Sequence, residues 1–313
     1  MFISFLFACS ADFQSLDHKE PSFAGYDVSV PFDTRSQPSL EKEKFEFSSQ
    51  ASIDSFCTEN TSVVGDVVIF GQDIDNLEGL SCLNNVQDSV HIMFTNITSV
   101  YGLKFLTEIR DELVITRNPK LKTLDGLGNI PTLHSTLEVS FNVSLEDTHG
   151  LEHIQEIEGD LIFSGNPFLR DMEGLANLEY VGGSVSIIDN DELLSFDGLS
   201  SVEEIGEDML IEHNYSISDL SGWEGLMSIG GELRINGNSK MTSMDGLESL
   251  QEVDSIYALY NNHLQDVGTL NSVTELASAQ FFFNSSTLCT NDQSGVPYLE
   301  KYNPELWSNA VCQ

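Results

Sequence analysis

From about residue 53 onward, apolar residues return at fixed places in a 24-residue period. In the stretch LVITRNPKLKTLDGLGNIPTL (113–133), Leu113 and Ile115 alternate with outward residues, as a short strand requires. Beyond Asn118, apolar residues follow at intervals of three: Leu121, Leu124, Leu127, Ile130 and Leu133. The strand columns return in later coils as Leu161/Phe163, Val185/Ile187, Met209/Ile211 and Leu233/Ile235. Seven inward positions in each 24 residues are enough for a continuous core through a stack of coils. The spans are too short for a stable amphipathic helix in every coil, so the pattern predicts short strands separated by bends.

Two further columns set the period. Gly126, Gly150, Gly174, Gly198, Gly222 and Gly246 recur every 24 residues, with Gly79 and Gly102 before them and Gly268 after. Eight residues ahead of the central glycines stand Asn118, Asn142, Asn166, Asn190, Asn214 and Asn238. The glycines predict a backbone angle or a close approach that other residues resist. The asparagines predict a ladder, each amide bonding to backbone or to the Asn of the next coil. One coil cannot bury its apolar side alone, so it must stack on its neighbours. The expected fold is mainly β: a right-handed parallel β-solenoid of about nine coils over residues 51–313, near 40 to 45 Å long at about 4.8 Å per coil.

The coil L-x-I-x-x-N-x-x-L-x-x-L-x-G-L-x-x-L-x-x-I/V resembles the receptor L domain, the module of the ectodomain lobes of insulin- and epidermal-growth-factor-type receptors. The segment Asn284-Ser-Ser-Thr-Leu288-Cys289 is similar to the N-x-x-L-C close of such domains. The resemblance implies the solenoid and a cell-surface setting; a Cys-rich module and a kinase do not accompany it. Ordinary leucine-rich repeats share the L-x-L-x-x-N portion and are the nearest structural alternative.

Composition narrows the partners. With 13 Lys and Arg against 50 Asp and Glu, the net charge is −37. That argues against nucleic acid and anionic lipid, whose phosphates need clustered cations. No apolar run approaches the length of a membrane span. Residues 1–9 resemble a bacterial lipoprotein signal, with Leu6 and Ala8 preceding a Cys9 that would carry the lipid. Residues 10–50, rich in Ser, Pro and mixed charge, are expected to be a flexible tether. Cys57 and Cys82 lie 25 residues apart and Cys289 and Cys312 lie 23 apart, close to one coil. The expectation is two disulfides closing the ends of the solenoid, with Cys9 left over. The address expected is the cell envelope or surface, lipid-anchored through Cys9, or alternatively secretion.

Catalytic and metal signals are weak. His149-Gly-Leu-Glu152-His153 matches H-x-x-E-H, but zinc chemistry needs that motif on a helix, and Gly150 and Leu151 sit in corner columns. Acids recur before the corner glycine (Glu78, Asp125, Glu173, Asp197, Asp245) and before the strand (Asp66, Glu112, Asp160, Asp208), the latter alternating with Ser89, Thr136 and Ser184. These columns suit a solvated face and leave room for weak Ca²⁺ binding; no catalytic residue and no other metal or cofactor is expected. The outward strand positions include Val68, Phe70, Met93, Val114, Ile162, Ile188, Leu210, Tyr257 and Leu259, a half-apolar surface on a very acidic protein. These nine are the ligand-face candidates. The expected function is non-enzymatic recognition or adhesion of a protein or glycan partner. The alternatives are a carbohydrate-active enzyme on a parallel β-helix and a structural envelope component.

Overall fold

The computed structural model describes residues 44–57, 62–63, 65–127, 129–282 and 284, all within one compact unit, Lys42–Gln313. It is a parallel β-solenoid of about ten turns, mainly β, as the period predicts. The principal sheet stacks the strands Asp66–Phe70, Val90–Met93, Leu113–Thr116, Leu137–Ser140, Leu161–Ser164, Val185–Ile188 and Met209–Glu212, each parallel to the next and in register. Ser228–Asn236, Glu252–Leu259 and Ser278–Phe282 continue it. A second run of two-residue strands, from Asn85–Val86 and Glu108–Ile109 to Glu204–Ile205, forms another side of each coil.

The inward columns are where the pattern places them. Leu113, Ile115, Leu121, Leu124, Leu127, Ile130 and Leu133 are all buried, and their counterparts above and below form one hydrophobic core. The bends between strands are turns, tightened to single 3₁₀ turns at Glu78–Leu80, Tyr101–Leu103, Glu173–Leu175 and Gly268–Ser272.

The asparagine column is a hydrogen-bonded ladder. Asn142 Oδ1 accepts the backbone N–H of Asn118, and the pattern repeats through Asn166, Asn190, Asn214, Asn238 and Asn261 to Asn284. Each amide nitrogen donates to a strand carbonyl one coil back, as Asn166 does to Val139 at 2.9 Å. Asn118, Asn142, Asn166, Asn190, Asn214, Asn238 and Asn261 are buried, and the ladder satisfies backbone groups that the turn would otherwise strand.

At the amino end the structure departs from the expected boundary. Lys44–Phe47, placed in the tether by composition, pairs in parallel with Asp66–Phe70 as a further rung. Helix Gln50–Phe56 follows, capped by Ser49, whose side chain accepts from Ser52 N–H. The helix buries Ile53, and Phe56 packs edge-on to Phe45 and Phe47 at 6.3 and 5.1 Å. Its Gln50 Oε1 accepts from the N–H groups of Asp75 and Asn76 in the next coil. Among the described residues no coil stacks beyond this segment, which follows different sequence rules. The Cys57–Cys82 disulfide pins that segment, with a Cα separation of 5.5 Å. Cys289, Cys312 and Cys9, and residues 10–43 of the expected tether, lie outside the described residues.

Candidate functional site

The strand register decides which outward residues are neighbours. One outward column runs Val68, His91, Val114, Glu138, Ile162, Ser186, Leu210, Arg234, Tyr257; the other runs Phe70, Met93, Thr116, Ser140, Ser164, Ile188, Glu212, Asn236, Leu259. All nine ligand-face candidates therefore sit on the outer face, but they do not form one strip. Val68, Phe70, Met93 and Val114 lie together toward the amino-terminal end of the sheet, but Val68 and Val114 are buried and offer a ligand little surface, unlike the expectation for them. Ile162 lies between Glu138 and Ser186, Ile188 between Ser164 and Glu212, and Leu210 between Ser186 and Arg234. Tyr257 and Leu259 stand beside Arg234 and Asn236. The middle of the face is polar: Ser140 Oγ donates within a cluster with Thr116 Oγ1 and Glu138 Oε1 at 2.8 and 2.5 Å.

Immediately after each outer strand the chain turns at positive φ. Gly71, Phe94, Arg117, Phe141, Gly165, Asp189, His213, Gly237 and Tyr260 occupy this corner. Its side chains project outward beside the sheet, with Phe94 50% and Phe141 47% exposed. The Arg117 guanidinium carbon lies 5.7 Å from the Phe94 ring centre and 4.9 Å from that of Phe141. The Phe141 ring reaches over Gly165, where a Cβ would come within 2.7 Å of it. One coil edge along, Lys104 Nζ stands over the rings of Tyr101 (4.3 Å) and Phe105 (5.2 Å). This corner was missed by attention to strand alternation alone. Its signal is present in the sequence, as the residue just before each ladder position.

The acids have structural work. In the pre-strand column Asp160 Oδ1 accepts from Ser184 N–H and Asp208 Oδ1 from Glu232 N–H, both at 2.7 Å, and Asp66 Oδ1 accepts from Ser89 N–H. Thr136 and Ser184 hydroxyls do the same one coil later, accepting from Asp160 and Asp208 N–H. The alternation of acid and hydroxyl is thus a second ladder, not only a solvated face. At the corner the expected acids Glu78, Asp125, Glu173, Asp197 and Asp245 donate their backbone N–H groups, and the acceptors stand two positions earlier, at Asn76, Thr123, Asp171, Ser195 and Ser243, a role Asp147 and Asp219 share. Burial pushes the Asp219 carboxyl up, but donors from Ser221 and Ser218 outweigh it and hold it below its ordinary range.

The H-x-x-E-H segment forms turns rather than a helix. Glu152 folds back onto its own corner, accepting from Gly150 N–H at 2.9 Å and approaching His149 Nδ1 at 3.3 Å. Burial lowers the affinity of His149 for a proton, but Asp147 and Glu152 override it and leave the pKa raised. Among the described residues, no three His, Cys, Asp or Glu side chains gather as a metal ion requires. Arg234, the cation of the outer sheet face, is paired with Glu232 at 2.6 Å. No described helix is long and apolar enough to cross a membrane. No protein-family model, curated protein or solved structure matches the chain.

Proposed function

We propose that the protein is a non-enzymatic recognition or adhesion protein, displayed at a cell surface or secreted, that holds a protein or glycan partner against its outer sheet face and the adjoining corner. The observation that carries this is a group of apolar and aromatic side chains on the amino-terminal half of the outer sheet face and its adjoining corner. Phe70, Phe94 and Phe141 are exposed there and Met93 is half-buried beside them, on a chain of net charge −37, where solubility alone would favour acids. Among the described residues Arg110, Arg170 and Arg234 are tied to carboxylates, and Asp160 and Asp208 accept from backbone amides, an arrangement that suits holding a ligand better than transferring a proton. The resemblance to receptor L domains points the same way and to a surface address.

Two experiments test this reading. On arrays of glycans and of surface proteins, Phe70→Ser with Met93→Ser is expected to weaken binding about tenfold or more, the loss of two anchor side chains. Ile162→Ser with Leu210→Ser, which removes isolated side chains, is expected to weaken it much less. Ligands unaffected by either pair, or turnover of a polysaccharide, would sink the proposal. For the address, mass spectrometry of the mature amino terminus is expected to find a lipid-modified Cys9. A mature chain that starts beyond Cys9 and carries no lipid overturns the anchor and leaves secretion.

A further inference from the structure

The coil of residues 100–123 differs from its neighbours in charge. It carries Lys104, Arg110, Arg117, Lys120 and Lys122 against Glu108, Asp111 and Glu112, whereas residues 124–147 hold four acids and no Lys or Arg. Most of these cations are engaged: Arg110 with Glu108 at 2.6 Å, Lys122 with Glu146 at 3.3 Å, Lys104 with two rings. Arg170 and Arg234 likewise hold Glu192 and Glu232. Arg117 alone among the described arginines is in no ion pair, on a chain with nearly four acids for every base. Its guanidinium instead sits between Phe94 and Phe141.

The three residues occupy the corner that turns at positive φ, 55°, 55° and 54°. Gly165 and Gly237 take that conformation without steric cost elsewhere in the same column. Bulky side chains at this φ are strained; Asp189, His213 and Tyr260 share it further along the column, and what sets the first three apart is that they stand on successive coils around one cleft. That cleft, about 370 Å³ and open to solvent, is also bordered by Gln72, Asn96 and Val143.

We propose that Phe94, Arg117 and Phe141 form a receptor for the terminal carboxylate-bearing sugar of an acidic saccharide. The proposal rests on the recognition reading above and names its ligand chemistry. Rings on both sides of a guanidinium shield its faces from water and leave its in-plane N–H groups for a carboxylate, which they bind as a fork. The exposed rings offer apolar surface to sugar C–H groups, and Gln72 borders the cleft where hydroxyls would lie, beside Asn96, whose amide nitrogen donates to Gln72 O. An extended acidic peptide suits the cleft less well. Its backbone needs partner amides, and the corner's own amides are already used along the stack, as Arg117 N–H is by Ser140 O and Phe141 N–H by Ser164 O. Three coils at about 4.8 Å each match one or two sugar residues. A long polyanion would run onto the acidic coils beyond, so one terminal acid is preferred.

The test titrates the full chain with methyl β-glucuronide, methyl β-glucoside, an oligomeric glucuronate and a hexaglutamate peptide, followed by calorimetry and ligand-observed NMR. The glucuronide is expected to bind about tenfold or more tighter than the glucoside, the difference a carboxylate–guanidinium fork supplies. Arg117→Gly, which suits the backbone angle, is expected to abolish that preference while its unfolding midpoint stays at or above that of the parent. Phe141→Gly is expected to weaken both sugars. Equal binding of glucuronide and glucoside overturns the proposal, as does tighter binding of hexaglutamate or of the oligomer per residue. Binding lost on Phe70→Ser with Met93→Ser but indifferent to Arg117→Gly overturns this inference and leaves the sheet-face reading standing.

Discussion

Gly150→Ala is expected to prevent the solenoid from assembling in its native packing, with a loss on the order of 4 kcal/mol or more, the range of severe core disruptions. Gly150 has φ +107°, and a Cβ there would lie 2.0 Å from Leu124 O and 2.3 Å from Leu124 C, backbone atoms of the preceding coil. No side chain can swing aside to relieve that contact, so the two coils would have to separate along their buried faces. Gly165→Ala is the informative comparison. Its φ is +66°, and its added Cβ meets only the Phe141 ring, at 2.7 Å. The same corner holds non-glycine residues at Arg117, Asp189 and His213. Gly165→Ala should therefore cost about 1 kcal/mol, the ordinary price of a left-handed residue. Denaturant unfolding of both variants measures the difference; equal costs would mean that the corner glycine is required for its backbone angle alone and not for the approach of the neighbouring coil.

Asn166→Ala is expected to lower stability by about 2 to 4 kcal/mol, through a backbone N–H left buried and unpaired and the small void beside it. Asn166 Oδ1 takes the N–H of Asn142 at 3.0 Å, and its amide nitrogen donates to Val139 O. The side chain is fully buried, so water cannot stand in for it. Asn166→Asp separates the two roles: it keeps the acceptor for Asn142 N–H but cannot donate while ionised. Burial would raise its carboxyl pKa in the folded state above the unfolded value. The sign follows: with a raised folded pKa the penalty is smallest at acid pH, where the carboxyl is protonated, and grows as pH rises past the unfolded value. The gap between Asn166→Asp and the parent should be narrower at pH 4 than at pH 7. A gap independent of pH, or an Asn166→Ala variant as stable as the parent, would contradict the ladder's energetic role.

These two columns were legible in the sequence because each residue in them meets the same part of the neighbouring coil: Asn meets Asn, and the corner glycine meets the backbone just before the previous coil's corner. A requirement set by stacking is therefore repeated at the period of the stack, and 24-residue spacing exposes both the Asn ladder and the corner glycine. The inward apolar columns are legible for the same reason. Where a coil has a described neighbour on one side only, the repeat is not legible in the same way. Lys44–Phe47 and helix Gln50–Phe56 carry neither column, although they close the stack with Phe45, Phe47 and Ile53. The pre-strand acidic column was visible, but its hydrogen bonds to the next coil's amides were not, because a carboxylate accepting from backbone and one facing water have the same spacing.

By itself, then, the sequence determined the coil, its period and its core, since those follow from burial repeated along one axis. The tertiary structure decided which outward side chains are neighbours. It divided the nine sheet-face candidates into a cluster at Val68, Phe70, Met93 and Val114 and scattered positions beyond. It also brought Phe94, Arg117 and Phe141 together across two coil lengths of chain. Outward residues bear no burial constraint that would impose a pattern, so their meaning rests on register, on the positive-φ corner, and on which cations the fold leaves without a carboxylate.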